Sequence, residues 1–411
     1  MNPLALISAT ALRAPRRATA ATLLASLLLL AGCGGGGADG AAMTPSATAP
    51  SVFTLGTITG FGSVIVNGVR FDDSAASISD DDGQKHALDA LRLGMRVEVD
   101  SGRVDAASAS AHALAVRFGG LVTGPVEAID VAAGRLTVLG QGIDVTATTV
   151  IDDRLVGGLA AVQTAAVLHV HGLRDAASGR ILATRIEPQP NASRYKLRGT
   201  VVGLNPTAKT FSIGAAVISY AGLSAAPAGL ADGVTLRLAL ALTPVAGQWL
   251  AQELGAKPQR PSDMAVAHVR GAITAFSSVS SFSSFSVEGL AIDASAARFP
   301  DGSAGLALGV EVEVRGRLSN NLLVASEVLL EARHRADDDR RFELYGAISA
   351  VDSMARTFVV RGMTVSYAGT VAYEGGSAAG LVVGAKVAVK GGLGSSRTLV
   401  LAAKIKFESA S

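Results

Sequence analysis

His169 and His171 stand two residues apart in an alternating stretch, Leu168-His169-Val170-His171. On a strand both rings point to one face, a spacing that could grip a transition metal. With Leu168 and Val170 on the opposite face, an exposed polar side of a strand accounts for them equally well, and no third ligand stands nearby in sequence. Asp80-Asp81-Asp82-Gly83 offers the carboxylates that calcium takes, which makes Asp80 and Asp82 the second candidate metal pair. A calcium loop wants ligands on alternate residues and a distant bidentate glutamate, whereas these acids are consecutive. A solvated turn is the plainer reading. Asp337, Asp338 and Asp339 lie among Arg333, Arg335, Arg340 and Arg341, where mutual neutralisation in an exposed linker suffices.

The chain has one cysteine, Cys33. Residues 1–33 read as a basic segment (RAPRR), an apolar run (ATLLASLLLLAG) and a small-residue site, the three parts of a secretory signal. The apolar run covers under about 20 Å, too little for a hydrocarbon core of roughly 30 Å. Leu30-Ala31-Gly32-Cys33 resembles the lipobox of lipoproteins, whose cysteine is lipidated and becomes the new N-terminus. Lipidation at Cys33 leaves the mature chain no thiol for a disulfide or a nucleophile. Gly34, rather than Asp, after the cysteine resembles lipoproteins sorted to the outer membrane, and residues 34–52 have the composition of a flexible tether. Arg16-Arg17 lacks the apolar partners of a twin-arginine signal.

Of the 36 basic residues, Arg13, Arg16 and Arg17 fall in the leader, which carries none of the 34 acids, so the mature part has one net negative charge. Such a chain has little pull on phosphate backbones, and no nucleic acid partner is expected. Trp249 is the only tryptophan and aromatics total 4%, which disfavours stacking platforms for sugars or single strands. Gly60-Phe61-Gly62 and Gly302 to Gly305 lack the strand-to-helix context of a phosphate loop or nucleophile elbow and read as turns. No cofactor is expected.

Self-comparison supplies the elements that must position these residues. A glycine opening a β-type segment recurs as Gly56, Gly124, Gly199, Gly271 and Gly346, at intervals of 68, 75, 72 and 75. Six residues later, in four copies, stand Asp130, Asn205, Ser277 and Asp352, which can bond a following turn. A second strand follows, from Val64, Leu136, Phe211, Phe285 or Phe358, with a glycine four positions on at Gly68, Gly140, Gly289 and Gly362. Ala215 replaces it in copy three. Then come an alternating third strand, a turn with leucine three residues before glycine (Leu91, Leu230, Leu306, Leu381), a fourth strand, and a fifth built on Ala-x-x-aliphatic (Ala183, Ala251, Ala325, Ala402). Copy two (LAAVQTAAVLHV) is irregular at the turn. The run FSSVSSFSSFSVEG from Phe276 reads as a longer loop.

Five strands with one helical turn or short loop between the third and fourth resemble a small Greek-key barrel of the OB type. The chain is therefore expected to be all-β, a tandem array of about five OB-like five-stranded barrels after a signal peptide and tether: repeats 53–118, 119–190, 195–257, 266–333 and 341–408. Breaks fall at QPNASR, KPQRPSD and RHRADDDRR. A unit of about 60 to 70 residues is near the lower limit for its own core, so neighbouring units should lean on one another or share edges, which makes the array partly solenoid-like.

The pattern G-x-I-x-x-h-D, F-x-V-x-G, L-x-x-G-x-x-V-x-V and A-x-x-I resembles the bacterial family catalogued as domain of unknown function 5666, found in exported proteins and often in tandem. The resemblance spans residues 53 to 408; it implies the fold and no activity. The expected function is that of a lipid-anchored cell-envelope protein, at the outer membrane with its repeats in the periplasm or at the cell surface. It would be non-catalytic, presenting loops and edges to an envelope partner. The alternative is a periplasmic small-ligand or metal-binding module using His169 and His171 or the Asp80 loop. An envelope hydrolase ranks last, because no general base or nucleophile with a partner can be picked.

Overall fold

The computed structural model describes residues 52–175, 178–225, 229–256, 263–276, 282–330, 342–395 and 398–407. Cys33, the leader, residues 34–51 of the tether and Asp337 to Asp339 lie outside the described residues, as do residues 277–281 of the serine-rich run, Ser277 among them.

Repeat 2 shows the plan. Its strands are Val122–Asp130, Arg135–Val138, Gln141–Ile151, Val167–Arg174 and Ile181–Pro188, with a 3-10 turn at Gly158–Ala161 before the fourth. The first three form an antiparallel meander. The third pairs parallel with the fifth, the fifth antiparallel with the fourth, and the fourth returns to the first, which closes the barrel. This is the OB order. Repeats 1, 3, 4 and 5 close in the same way, each with a parallel third-to-fifth pairing (Arg70↔Ser110, Ile218↔Trp249, Ala291↔Leu322, Thr364↔Leu399). The structure is all-β, with no α-helix among the described residues.

The repeated glycines have distinct physical causes. Between the second and third strands, Asn67-Gly68, Leu139-Gly140, Glu288-Gly289 and Arg361-Gly362 all have positive φ at both positions, the type I′ turn whose twist matches a hairpin. In copy three only the first turn position, Gly214, keeps a positive φ, which frees Ala215 to replace the glycine at the second. The first-strand glycine lies under this hairpin: a Cβ at Gly56 would come 2.2 Å from Asn67 Oδ1, and one at Gly199 would come 2.3 Å from Ile213 Cγ2. The aspartates and asparagine six residues later do cap turns, with Asn205 Oδ1 and Asp352 Oδ1 each accepting two backbone amides.

Copy two is regular in space. In the other copies the glycine amide of the L-x-x-G turn donates to a first-strand carbonyl: Gly94 to Ile58, Gly233 to Val201, Gly309 to Ile273 and Gly384 to Ile348. In copy two Ala165 donates to Val126, the equivalent carbonyl, and takes the same left-handed φ of 65°. Val162 replaces the leucine three residues before.

Five barrels share three hydrophobic cores. One joins repeats 1 and 5 around Phe71 and Phe358, one joins repeats 2 and 3 around Leu168 and Phe211, and the third is repeat 4 with Phe53 and Leu55 of repeat 1. Sharing raises the apolar area each small unit buries. The partners are not those of a row. The first strand of repeat 1 (Val52–Phe61) pairs parallel with repeat 4 at one end (Val52↔Val266 to Leu55↔Val269) and with repeat 5 at the other (Gly60↔Glu343, Phe61↔Leu344). Among the described residues, only repeats 2 and 3 are joined by strand pairing between sequence neighbours, at Lys196↔Thr123 and Leu197↔Val122. The physical reason is edge exposure: a strand longer than its own barrel needs leaves backbone groups that another strand can satisfy.

On the seam of repeats 1 and 4, opposite Thr54, His268 Nε2 lies 2.7 Å from Glu313 Oε1, and Arg315 Nε donates to the same oxygen. Burial pushes the Glu313 carboxyl up, but His268 and Arg315 outweigh it and hold it at about 2.

Two outcomes follow for stability. Ala165→Gly should raise stability by about 1 kcal/mol by relieving a left-handed alanine. Gly233→Ala should cost a similar amount, since nothing lies within 4 Å of the new Cβ and only its φ of +84° resists. Urea unfolding midpoints decide both, and unchanged midpoints would remove strain as the reason for this glycine. Glu313, with its carboxyl depressed in the fold, contributes stability that is full above its ordinary value of 4.5 and is lost as pH falls toward about 2. Glu313→Gln should flatten acid unfolding in that window, by on the order of 2 kcal/mol at neutral pH.

Candidate functional site between the first three repeats

Alternation along the fourth strand of repeat 2 sends Leu168 and Val170 into the barrel, each fully buried, and His169 and His171 outward. The outward face is not solvated. His171 has 0% exposure, because the crossing from repeat 1 to repeat 2 lies over it. Its Nδ1–H donates to the Gly119 carbonyl at 3.0 Å, and its Nε2 is buried without a hydrogen-bond partner. The exposed-strand reading of this pair is therefore corrected: a neighbouring segment covers what an isolated barrel would show to water. Gly120 makes the close approach possible, since a Cβ there would come 2.5 Å from His169 Cε1. The two rings meet edge to face, 4.6 Å between centroids. Burial pushes both imidazoles below their ordinary value, His171 well below, so both are neutral near pH 7.

The antiparallel register with the fifth strand sets His169 opposite Glu187 and His171 opposite Arg185. Arg185 is 1% exposed and fully engaged: Nη2 donates to Asp152 Oδ2 at 2.5 Å, Nε to Glu187 Oε2 at 2.8 Å, and Nη1 to the Leu93 carbonyl of repeat 1. Although burial raises the Glu187 carboxyl, the charge of Arg185 outweighs it, so Glu187 stays ionised. One donor atom each from His169, His171 and Glu187 lie within 4.8 Å of one another. Glu187 is the third candidate ligand, which sequence neighbourhood did not supply. The only signal for it was the outward Arg185-x-Glu187 pair on the fifth strand, and its place opposite His169 depends on a bulge after His171.

The acidic loop serves differently. Asp80 Oδ1 accepts the amides of Asp82 and Gln84, and Oδ2 lies 3.0 Å from His86 Nε2. Asp81 and Asp82 reach repeat 3: Lys196 Nζ lies 3.2 Å from Asp81 and 2.5 Å from Asp82, Arg194 lies 3.1 Å from Asp82, and Arg237 pairs with both. These cations, despite the cost of burial, hold the Asp82 carboxyl below its ordinary value. Each acid already has partners, so the loop is neither an open set of calcium ligands nor a solvated turn. It is a clamp between barrels. Trp249, the lone tryptophan, is half-buried and meets Tyr195 edge to face, 5.5 Å between ring centroids.

Arginine-to-carbonyl bonds complete the seams. Arg185 of repeat 2 reaches Leu93 of repeat 1, Arg174 of repeat 2 reaches Arg198 of repeat 3, Arg198 reaches Glu288 of repeat 4, and Arg96 of repeat 1 reaches Arg270 of repeat 4. The four bonds close a cycle. Within it lies a cavity of about 1310 Å³ lined by all four repeats, including Arg96, Arg198, Thr235 and Glu288. A second cavity, of about 900 Å³, reaches His169 and Glu187 past Lys196, Arg154 and the acidic loop.

The family model described as "Domain of unknown function (DUF5666)" matches residues 123–187, 270–328 and 345–406. Three segments of the chain, in repeats 2, 4 and 5, thus match this domain in tandem. No curated protein matches it. A solved structure titled "drosophila Unr CSD456" is similar over 41% of this chain and 79% of its own, at 14% identity and a TM-score of 0.15.

The clamp should be measurable by a double-mutant cycle. Asp82→Ala leaves three half-buried cations undercompensated and should cost about 1–3 kcal/mol, and its coupling to Arg237→Ala should be about 1 kcal/mol. Strict additivity of the two losses in unfolding experiments would show that the loop does not tie the barrels.

Proposed function

We propose that this chain is a lipid-anchored protein of the cell envelope that works by binding rather than catalysis, a rigid scaffold of OB-like barrels held at the outer membrane through Cys33. The observation that carries this reading is the use made of the polar groups. Charged side chains of repeats 1 to 3 are spent on ion pairs or bonds across seams: Asp81, Asp82, Arg185 and Arg237 each meet another repeat. The barrel interiors are filled by apolar side chains, with Phe71, Phe211, Phe285 and Phe358 each at most 2% exposed. What remains for a partner is the outer surface. Leu242, Val245 and Leu250, on or beside one hairpin of repeat 3, are between 36% and 56% exposed, as a protein-binding surface requires. Repeats on the periplasmic side or at the cell surface would present such turns to an envelope protein. The half-buried His169 and buried His171 with Glu187 favour a second role for the same scaffold, metal binding at the seam.

The test uses the full chain in its own cell. Wild type should incorporate a tagged fatty acid, fractionate with membranes and crosslink to one specific envelope protein, and Cys33→Ala should lose all three. A wild-type chain that stays soluble and unlipidated would overturn the anchor. Turnover of a substrate by the purified chain, abolished by changing one polar cluster, would overturn the non-catalytic reading.

A further inference from the structure

We infer that His169, His171 and Glu187 form a site for one zinc-class divalent ion on the outer face of repeat 2. This goes beyond the scaffold reading and does not depend on it.

Each of the three donors is already held by a second group in the way metal ligands are held. A ligating imidazole donates its other ring N–H to a carbonyl, carboxylate or similar acceptor, which fixes the tautomer and the ring plane. His171 does this through Nδ1–H to the Gly119 carbonyl, which leaves the lone pair on Nε2. That Nε2 is the atom left buried without a partner, and a buried polar atom with nothing to bond costs about 1–3 kcal/mol unless something occupies the place. His169 has the Thr123 hydroxyl 2.5 Å from Nδ1, a group able to accept Nδ1–H, and in that tautomer the lone pair is again on Nε2. Glu187 is steadied through Oε2 by Arg185 Nε, which leaves Oε1 to coordinate.

Two neutral imidazoles and one carboxylate are a donor set that zinc takes, with a fourth position left to water. One ligating atom from each of the three residues lies within 4.8 Å of the others, against about 3.3 Å between ligands of a tetrahedral zinc ion. Rotation of Glu187 and a small tilt of His169 close that difference, while His171 stays fixed by its backbone bond. Two cations stand near the set, and each is already paired: Arg185 with Asp152 on its other side, and Lys196, beside His169, with Asp81 and Asp82, so neither charge stands alone against the ion. The cavity of about 900 Å³ that reaches His169 and Glu187 gives the ion a route in. The corresponding outward positions of the other repeats, such as Glu98 and Asp100, Glu313 and Arg315, or Ala388 and Lys390, hold no imidazole pair, so one ion per chain is expected.

The full chain, stripped of metal, is titrated with Zn²⁺ against a chelator of known affinity. One equivalent should bind and raise the melting temperature. His171→Ala and His169→Ala should weaken binding by at least about 100-fold and Glu187→Gln by about 10-fold or more, while His112→Ala, at an exposed histidine of repeat 1, should leave it unchanged. Because a cavity at position 171 could unfold repeat 2, X-ray absorption of the zinc-loaded wild type supplies a reading that needs no variant, and it should show two imidazole rings on the metal. No zinc bound at micromolar free ion, absorption without imidazole scattering, or undiminished affinity in a folded His171→Ala chain would each overturn the site.

Discussion

The structure depends on one strand being shared. The first strand of repeat 1, Val52–Phe61, is hydrogen-bonded within its own barrel through the second and fourth strands. It also pairs in parallel with repeat 4 at its beginning and repeat 5 at its end. A closed barrel has no edges, so each of these pairings uses the part of the strand that overshoots closure. The consequence is that repeats far apart in sequence become neighbours, and that Phe53 and Leu55 are counted in the core of repeat 4 while Ile58 and Phe61 belong to the core shared with repeat 5. Removing repeat 1 would leave two other barrels with uncovered apolar surface. Long-range contacts of this kind also set a late, cooperative step in folding, since loop closure must precede them.

Close approach at the seams is bought with glycine. Gly60 lets the Glu343 carbonyl come where a Cβ would be 2.4 Å away, Gly94 does the same for the Thr184 carbonyl, and Gly140 for the Ala216 amide. These positions serve both levels of structure at once, because Gly94 and Gly140 are also turn residues of their own barrels with positive φ. Substitution there would meet both a strained backbone and a neighbouring barrel.

The barrel was legible in the sequence because its signals are local. Period-two alternation, the I′ turn glycines and the L-x-x-G turn are each set within ten residues, and the order of five strands followed from them. Copy two looked irregular because alanine can occupy a left-handed position at a tolerable cost, so the turn at Ala165 kept its geometry while losing its glycine. The arrangement of barrels was not legible. A parallel register such as Thr54↔His268 joins residues more than 200 apart through backbone bonds that have no residue preference. The same limit hid Glu187 and the cations facing Asp81 and Asp82: a sequence shows which side of a strand a residue takes, but not what another barrel lays upon it.

Comparison of equivalent positions shows where the copies have been free to differ. On the fourth strands the inward pairs Val97 and Val99, Leu168 and Val170, Leu236 and Leu238, Val312 and Val314, and Val387 and Val389 are all at most 3% exposed and all branched aliphatics. Packing at interior density allows little else there. The outward residues between and after them are Glu98 and Asp100, His169 and His171, Arg237 and Ala239, Glu313 and Arg315, Ala388 and Lys390. In repeats 1, 3 and 4 these side chains enter ion pairs, with Arg117, with Asp81 and Asp82, or with His268. An acid or an arginine in such a place must be buried beside an opposite charge, because an unpaired buried charge costs several kcal/mol. Repeat 2 alone carries imidazoles, which burial keeps neutral and which therefore need no counter-ion. A pair of uncharged nitrogen donors does little to hold barrels together, and that is the physical ground for assigning this face of repeat 2 a different task from its counterparts.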